Sequence, residues 1–539
     1  MAAASSLLTA VAPYLRQPTS ITTAIGALVF FVILVILFRL LFSSSSSSLS
    51  SSWGKNGKKK QPPAIPDTIP CISNTYLYLR DLPRFLRKAA IYLEHNDVVT
   101  FRLGHKKVYM VQGPQNIQPM LRVTNEFGSE AFIALILKPL DMSPEDIAKF
   151  AGDRTGRLKK RAPWMSEGGG RYWYGLHRVY EDFMTRAHYS ARMADRFRDV
   201  LAERLTLQPE GQWVEGVGLF GFLKQDMTES ALVAMCGPRI LELNPGFAEL
   251  SWEFDEIAFY LLCGPPRWWD ARPYQVRDRF NGAIGRYLDE AWEKFDWNGP
   301  DAEADWEEHF GSRFSREMVK WFLDSGFTMR STRGWMSFVI FAYVPLFLLL
   351  FLSLLFVVNI SDVHSLISNI VPITTWALYE IVRDPNLFAE VRREVMTAFT
   401  VDPATGERVL NTQKLLSLPL LQSILVETLR LHLSLNLVRE VNKPEGIFVD
   451  GYHVPRGSLV QVVTRRAHHD EATWGSEGHP ASEFWAHRHI KNTVRGGNVK
   501  EKDEKAETIA PEFLVTGKPG SFIPFGEFHP CFNLSMSAC

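Results

Sequence analysis

The sequence lacks the cysteine pattern of a secreted, disulfide-bonded protein and that of a zinc protein. Its 539 residues include five cysteines, scattered along the chain and odd in number, with no CxxC spacing: Cys71, Cys236, Cys263, Cys531 and Cys539. A disulfide framework needs paired cysteines in an oxidising compartment, and a structural zinc site needs closely spaced ligands. We therefore expect the body of the protein to face a reducing compartment such as the cytosol.

An excess of charge of either sign is also absent. Lys and Arg together number 59, Asp and Glu together number 59, and the formal net charge is zero. A neutral chain has no overall attraction for a polyanion, so we expect no nucleic-acid partner. The hydrophobic content of 46% fits a large globular body with additional membrane segments.

Charged residues are scarce in the N-terminal segment, residues 1–42. Residues 21–38 are uncharged and mostly apolar, and residues 40–42 extend this run beyond Arg39. A helix that spans a bilayer needs about 20 such residues, so the run predicts an uncleaved membrane anchor rather than a signal peptide. Only Arg16 precedes the run, whereas four lysines follow it: Lys55, Lys58, Lys59 and Lys60. The positive-inside rule then places the body in the cytosol.

Residues 43–70 are predicted to be a linker between the anchor and a body that covers residues 71–539. Residues 43–52 are almost all serine and predict a flexible spacer, and four prolines then stiffen the chain: Pro62, Pro63, Pro66 and Pro70. Within the body, residues 98–111 read VVTFRLGHKKVYMV and predict a β-hairpin that turns at Gly104. Residues 122–330 are predicted to be mostly helical.

A second uncharged run covers residues 335–358 and is also long enough to span a bilayer. One explanation is an inserted segment that touches the membrane. The other is an intron retained in the sequence, because a translated pyrimidine-rich intron would be rich in Phe, Leu, Ser and Pro, as this run is. We favour the second explanation.

Residues 418–433 read LPLLQSILVETLRLHL and predict a buried helix, because apolar residues lie around almost its whole circumference. Glu427 and Arg430 share one face of that helix. Buried charges need partners, and Arg488, in the segment Phe484-Trp-Ala-His-Arg488, can complete a Glu–Arg–Arg network. We predict a structural role for this network.

The last segment, residues 521–539, reads SFIPFGEFHPCFNLSMSAC. A cysteine thiolate such as Cys531 can act as a strong axial ligand of haem iron, and a glycine before it, Gly526, lets the backbone approach a porphyrin. An isolated cysteine is also common as a small buried hydrophobic residue, so the cysteine alone does not decide between the two.

The order of three motifs favours the haem-ligand role for Cys531. ExxR, FxxxR and a Phe-Gly…Cys loop, in that order, resemble the cytochrome P-450 family over about residues 60–531. The resemblance implies a mainly α fold with small β-sheets and a haem b whose iron is bound by Cys531. It implies further cofactor contacts from Phe525, Gly526, His529, Arg439 and His177. It also implies dioxygen, an apolar small-molecule substrate, NADPH-cytochrome P-450 reductase and attachment to the endoplasmic reticulum membrane.

The predicted distal helix, residues 361–384, departs from the family at its catalytic positions. Most members carry an acid–Thr pair that relays a proton to bound dioxygen, seven residues before the position of Trp376. This chain has Ser368 and Asn369 there, which become the candidate catalytic residues. The pattern of Asn369, Pro372 and Trp376 resembles the branch that contains sterol 7α-hydroxylases and prostacyclin synthase. Alternatively, Asn369 caps a helix break before Pro372.

The haem loop departs from the family as well. It is one residue shorter than usual, Glu527 and Asn533 replace glycines, and the chain ends at Cys539, so we expect a truncated C-terminus. Residues 491–507 are predicted to be a charged, solvated insert. His468 and His469 suggest a metal site, but no third ligand is evident, and we expect polar surface residues.

The favoured function is a haem-thiolate monooxygenase that inserts one oxygen atom of O2 into a sterol, a lipid or a secondary metabolite. One alternative is a haem-thiolate isomerase or dehydratase that acts on peroxides without a reductase. The other is an inactive, membrane-anchored product of a decayed or misannotated gene.

Overall fold

The structure is a computed structural model, and it describes residues 61–121, 125–128, 137–184, 186–206, 218–263, 266–352, 367–401, 403, 406, 408–434, 436–494, 509–515 and 519–524. Within these ranges the side chains of residues 341–352 and 367–370, among others, are not described. The chain divides into two compact units, Met1–Val108 and Tyr109–Cys539.

The predicted membrane anchor and serine-rich spacer lie outside the described residues, so both stay predictions. Among the helices that the structure does describe, none has both the length and the apolar character needed to cross a bilayer.

The first unit contains two helices and a strand, and a second strand starts within it: α1 (Ser73–Arg80), α2 (Leu82–Leu93), β1 (Val98–Leu103) and β2 (Lys106–Val111). Asp81 begins α2 by accepting a hydrogen bond from the backbone N–H of Arg84, at 3.0 Å. Phe85 lies 4.6 Å from Phe101, ring centre to ring centre. The two strands and the turn at Gly104, whose φ is +57°, agree with the predicted hairpin.

Part of the proline-rich segment packs into this first unit. Ala64 forms a β-bridge with Thr100, and the side-chain amide of Asn74 donates to the carbonyl oxygens of Ile65 and Pro66, both at 3.2 Å. Asn74 is itself buried. These bonds fix residues 64–66 within the first unit.

The second unit is mainly helical, which confirms the prediction of a mainly α body with small β-sheets. Its helices are α3 (Pro114–Leu121), α4 (Pro144–Gly152), α5 (Tyr172–Phe183), α6 (Ala187–Thr206), α7 (Leu219–Cys236), α8 (Arg239–Glu242), α9 (Phe247–Cys263), α10 (Arg272–Lys294), α11 (Arg313–Asp324), α12 (Met329–Leu352), α13 (Ile367–Val382), α14 (Pro385–Met396), α15 (Thr412–Leu416), α16 (Pro419–His432), α17 (Thr464–His468) and α18 (Glu471–Trp474). Its remaining strands are β3 (Phe127–Gly128), β4 (Trp306–Glu307), β5 (Gly311–Ser312), β6 (Phe399–Val401), β7 (Arg408–Leu410), β8 (Asn436–Val441), β9 (Ile447–Val449), β10 (Tyr452–Val454), β11 (Leu459–Val463), β12 (Ile490–Val494) and β13 (Ile509–Phe513).

Strand β8 lies between β11 and β3 and is antiparallel to both, with Arg439 opposite Val460. Strands β9 and β10 form a tight hairpin, as do β4 and β5. Strand β12 pairs with β13, and Lys491 lies opposite Glu512. Residues 491–494, the start of the segment predicted to be a solvated insert, therefore lie in a strand. Backbone pairing with β13 forms this strand, and the charged side chains of the segment give no sign of such pairing.

The core of the second unit includes the first six residues of the second apolar run. Trp335 stacks on Phe150, with ring centres 5.8 Å apart and planes 20° apart, and its indole N–H donates to the hydroxyl of Tyr180 at 3.3 Å. Met336, Phe338, Val339 and Ile340 are at most 1% exposed. Residues 335–340 thus belong to the protein core, α12 continues as backbone to Leu352, and residues 353–358 lie outside the described residues.

Helix α13 corresponds to the predicted distal helix, and it continues through Pro372. Between Ile367 and Pro372, where the backbone is described as helix, there is no break for Asn369 to cap. The predicted end of the helix agrees, because Asp384 accepts hydrogen bonds from the backbone N–H groups of Asn386 and Leu387 and so begins α14. Helix α13 packs against α12 and α16.

Candidate active site

The structure brings Glu427, Arg430 and Arg488 together in the buried interior. Arg430 donates from Nε to Oε2 of Glu427 at 2.8 Å and from Nη2 to Oε1 at 2.9 Å. Arg488 donates from Nε to the same Oε1 at 2.8 Å. Glu427 and Arg430 are fully buried and Arg488 is 5% exposed, so one carboxylate bridges two guanidinium groups away from water.

The remaining donors of the two arginines hold the irregular chain between β11 and β12. Nη1 of Arg430 donates to the carbonyl oxygens of His468, at 2.6 Å, and Ala481, at 2.7 Å. Arg488 donates to the carbonyl oxygens of Trp474, His479, Pro480 and Glu483. The network therefore fixes residues 468–488 onto helix α16, which is the structural role predicted for it.

A fourth member of this buried network is His489, which the sequence did not predict. It is fully buried, and its Nε2 lies 3.3 Å from Oε2 of Glu427. Burial by itself raises the pKa of the Glu427 carboxyl, but hydrogen bonds from Arg430 and His489 outweigh it and hold that pKa below its usual range. Nothing in the sequence distinguishes His489 from a surface histidine, since only the path of the chain after Arg488 turns it inwards.

His468 holds the peptide that leads towards the C-terminal cysteine. The backbone N–H of Ile523 donates to Nε2 of His468 at 2.9 Å, and both residues are buried. Burial lowers the pKa of His468 to about 3, so the ring is neutral at physiological pH and can accept this bond. The expectation that His468 is a polar surface residue is therefore wrong.

His469, next to it, is half-buried, and its Nε2 lies 3.1 Å from the carbonyl oxygen of Leu431. Over the part of the chain that the structure describes, no group of three His, Cys, Asp or Glu side chains is placed to hold a metal ion. The pair of histidines thus contributes one contact to the C-terminal peptide and one to helix α16.

Gly520 marks where the C-terminal peptide enters the buried interior. Its φ is +90°, and a Cβ at this position would lie 2.7 Å from the carbonyl oxygen of Pro114. Ser521, Phe522 and Ile523 follow and are 1–7% exposed. Because the backbones approach so closely, only glycine fits here. Phe525, Gly526, His529 and Cys531 lie beyond the described residues.

Arg439 and His177, the predicted haem contacts that fall within the described residues, have different surroundings. Arg439 is 4% exposed on β8, and its Nη1 donates to the carbonyl oxygen of Val438 at 3.2 Å. His177 on α5 lies 3.2 Å from Glu181, between Nε2 and Oε1. A buried guanidinium is a strong donor to a carboxylate such as a haem propionate, so the chemistry of Arg439 fits a haem group.

The candidate catalytic residues Ser368 and Asn369 lie in the first turn of α13, and their side chains are outside the described part. The hydroxyl of Thr375, further along this helix, donates to the carbonyl oxygen of Val371 at 2.6 Å. It is therefore engaged with its own helix and does not replace the missing threonine.

The far end of α13 is attached to α16 through Trp376, whose ring stacks on His432 with centres 4.2 Å and planes 7° apart. Nε2 of His432 lies 3.2 Å from Oε1 of Glu380. Burial lowers the pKa of His432 to about 4, so the ring is neutral in this stack. Side-chain contacts thus connect α13 to α16, the helix that carries Glu427.

Comparison with known proteins gives the same assignment as the residue pattern. The Cytochrome P450 family model matches residues 372–527. Cytochrome P450 monooxygenase calL of Penicillium decumbens is 40% identical over 470 residues, which cover 87% of this chain and 80% of that protein. Cytochrome P450 monooxygenase fsoE of Humicola fuscoatra is 24% identical over 497 residues, 87% of this chain and 78% of that protein. The chain therefore belongs to the cytochrome P450 monooxygenase family, whose members bind haem b through a cysteine thiolate and use dioxygen with electrons from a redox partner.

Proposed function

We propose that this chain inserts one oxygen atom of O2 into an apolar small molecule, a sterol, a lipid or a secondary metabolite, and that Cys531 is the residue that would bind its haem iron. The observation that carries the proposal is the bracing of the C-terminal peptide. Residues 521–524 are buried and Ile523 is hydrogen-bonded to His468, whose own carbonyl oxygen accepts from Arg430. Six residues separate this peptide from Cys531.

The alternative cysteine within the helical body is unsuited to this role. Cys236 is completely buried, and burial raises the pKa of its thiol to about 12. Cys236 belongs to the apolar core cluster of the second unit, which is the usual environment of a cysteine that acts as a small buried hydrophobic residue. This supports the assignment of Cys531.

Each residue of the site has a role that follows from its chemistry. When bound, the haem supplies the iron that binds and activates dioxygen. Arg439 offers its guanidinium to a propionate, and the Glu427 network keeps the segment before the cysteine loop in place. Ser368 and Asn369 carry no carboxylic acid, so proton delivery at these positions would run through a water held by the Ser hydroxyl and the Asn amide.

The distal pattern supports a substrate class and also a rival reaction. Asn369, Pro372 and Trp376 resemble the branch with sterol 7α-hydroxylases and prostacyclin synthase, which favours a large apolar substrate. The distal helix also lacks the acid–Thr pair of most family members. This absence favours a second candidate reaction, the rearrangement of a peroxide without a reductase.

We further propose that NADPH-cytochrome P-450 reductase supplies the electrons and that the chain is attached to the endoplasmic reticulum membrane with its body in the cytosol. Support comes from the apolar residues 21–38 and 40–42, the four lysines after them and the scattered cysteines, which are odd in number.

The proposed reaction is tested with membranes that contain the full chain and the reductase, supplied with apolar substrates under isotopically labelled dioxygen. The proposal expects product that forms only with NADPH and carries one labelled oxygen atom, and no product from Cys531→Ser. Conversion of hydroperoxides without NADPH, with no labelled oxygen in any product, would instead establish the isomerase.

A further inference from the structure

His468 occupies a position between the charge network and the C-terminal peptide. Its backbone carbonyl oxygen accepts from Nη1 of Arg430 at 2.6 Å, and its imidazole Nε2 accepts from the backbone N–H of Ile523 at 2.9 Å. One residue therefore connects Glu427 and Arg430 on helix α16 to the peptide before the cysteine loop.

Aromatic packing reinforces this connection on both sides. The ring of His468 lies 5.6 Å from that of Phe522, and Phe522 lies 6.2 Å from Trp474 in an edge-to-face arrangement. The guanidinium of Arg430 lies over the Trp474 ring at 5.7 Å. His468, Phe522 and Trp474 thus form one packed group directly against the charge network.

The hydrogen bond to Ile523 requires one form of the imidazole. An acceptor Nε2 carries no proton, so the neutral ring must hold its proton on Nδ1. His468 is fully buried and Ile523 is 3% exposed, so water cannot replace the bond if it is lost. A buried backbone N–H without a partner is strongly unfavourable, and the peptide would have to move to find one.

We propose that His468 is a positioning residue, which holds the peptide at Ile523 and thereby favours binding of the haem iron by Cys531, eight residues further along the chain. This inference rests on the proposed function, in which Cys531 is the ligand. The contacts of His468 are with Ile523, Phe522 and Arg430, so its effect on ligation would pass along the chain from Ile523 to Cys531.

The test compares two substitutions of nearly equal length in the full chain, His468→Met and His468→Gln. Glutamine retains an oxygen that can accept from Ile523, whereas the methionine thioether is a weak acceptor. His469→Met serves as the matched control, because His469 is adjacent and faces Leu431 instead of the C-terminal peptide. The direct readout is amide hydrogen exchange of a peptide that contains Ile523.

In His468→Met we expect at least a roughly fivefold faster exchange at Ile523, from loss of one buried hydrogen bond. We also expect a severalfold smaller share of the thiolate-ligated form in the carbon monoxide spectrum of the haem-loaded protein. His468→Gln and His469→Met should stay within about twofold of the original protein in both. Far-ultraviolet circular dichroism establishes that each variant is folded.

Unchanged exchange at Ile523 in His468→Met, or equal effects of Met and Gln, would overturn the positioning role. The Cys531→Ser variant separates this result from the proposed function. If the thiolate spectrum survives that change, the ligand assignment fails, and with it the link from His468 to ligation. The exchange rate at Ile523 decides in either case whether His468 holds the peptide.

Discussion

Glu427 is the residue on which the arrangement of the haem-side chain depends most. Its carboxylate is fully buried and accepts hydrogen bonds from both Arg430 and Arg488. It also accepts the backbone N–H of Trp485 at 3.1 Å. Removal of one partner from a buried ion pair leaves an uncompensated charge, which is far more destabilising than loss of a surface pair.

Glu427→Gln should therefore reduce the free energy of unfolding by about 3–5 kcal/mol, because two buried guanidinium groups lose their counter-charge. Chemical denaturation followed by circular dichroism measures this loss. The control is Asp195→Asn, which breaks an exposed pair with Arg198 on α6 and should have a much smaller effect. Equal losses in the two variants would show that the buried network is not a main source of stability.

Gly520→Ala tests how the C-terminal peptide enters the interior. Gly520 has a positive φ, and a Cβ there would collide with the carbonyl oxygen of Pro114. Gly478 has a similarly positive φ of +76° but no atom within 4 Å of its Cβ position, so Gly478→Ala isolates the backbone strain. We expect a clearly lower haem content in purified Gly520→Ala than in Gly478→Ala, measured by absorbance per protein. The same haem content in both would mean that the close contact is unimportant.

Sequence spacing was sufficient to predict that Glu427 and Arg430 face one another, because residues three apart on a helix share a face. It was not sufficient for His468 and His489. Their burial depends on the path of residues 464–489, which are mostly irregular, and irregular chain has no periodicity from which an inward direction can be deduced.

At the scale of elements, the second apolar run begins within α12 and ends before α13. Residues 335–340 of the run are buried in the core, so an insert, whether intron or membrane segment, would have to begin after Ile340. The candidate insert is thereby narrowed to residues 341–358 of the second apolar run.

Deletion of residues 341–358 removes 18 residues, or about five helical turns at 3.6 residues per turn, and so preserves helical phase. If the run is a retained intron, this variant should form one continuous distal helix and bind more haem than the full chain. The matched control removes residues 341–356. Those 16 residues correspond to a rotation of about 160° out of phase, which should abolish the gain. Lower haem binding in the 18-residue deletion would favour a genuine insert.

The elements differ in how far the sequence predicted them. Helix α16 was predicted almost to the residue, since its apolar character and length leave no alternative. Strand β12 was missed, because its lysine and asparagine suggested solvent and its partner, β13, lies more than a dozen residues away along the chain. Pairing between distant segments is not encoded in local pattern.

At the scale of the whole molecule, two neutral histidines contribute to the pH dependence of stability: His468, which is buried, and His432, which is half-buried. The pKa of His468 is lowered to about 3 and that of His432 to about 4, in both cases mainly by burial, whereas an unfolded histidine has a pKa near 6.5. Between these values the unfolded chain binds more protons than the folded one. Their stabilising effect is therefore complete above about pH 6.5 and is lost as the pH falls towards 4.

We expect the free energy of unfolding to fall by about 1.4 kcal/mol per pH unit for each such histidine in this window. His468→Gln removes one titrating group and should make the fall less steep. Chemical denaturation at a series of pH values between 7 and 4 measures the slope. An identical slope in the variant would show that His468 does not titrate as its burial implies.

The central claim for the whole molecule is that a thiolate from Cys531 binds the haem iron. The most direct measurement is the difference spectrum of the reduced, haem-loaded full chain with and without carbon monoxide, recorded beside Cys531→Ser. The claim predicts the red-shifted band of thiolate ligation in the full chain and its absence from the serine variant. Persistence of that band in Cys531→Ser would contradict it.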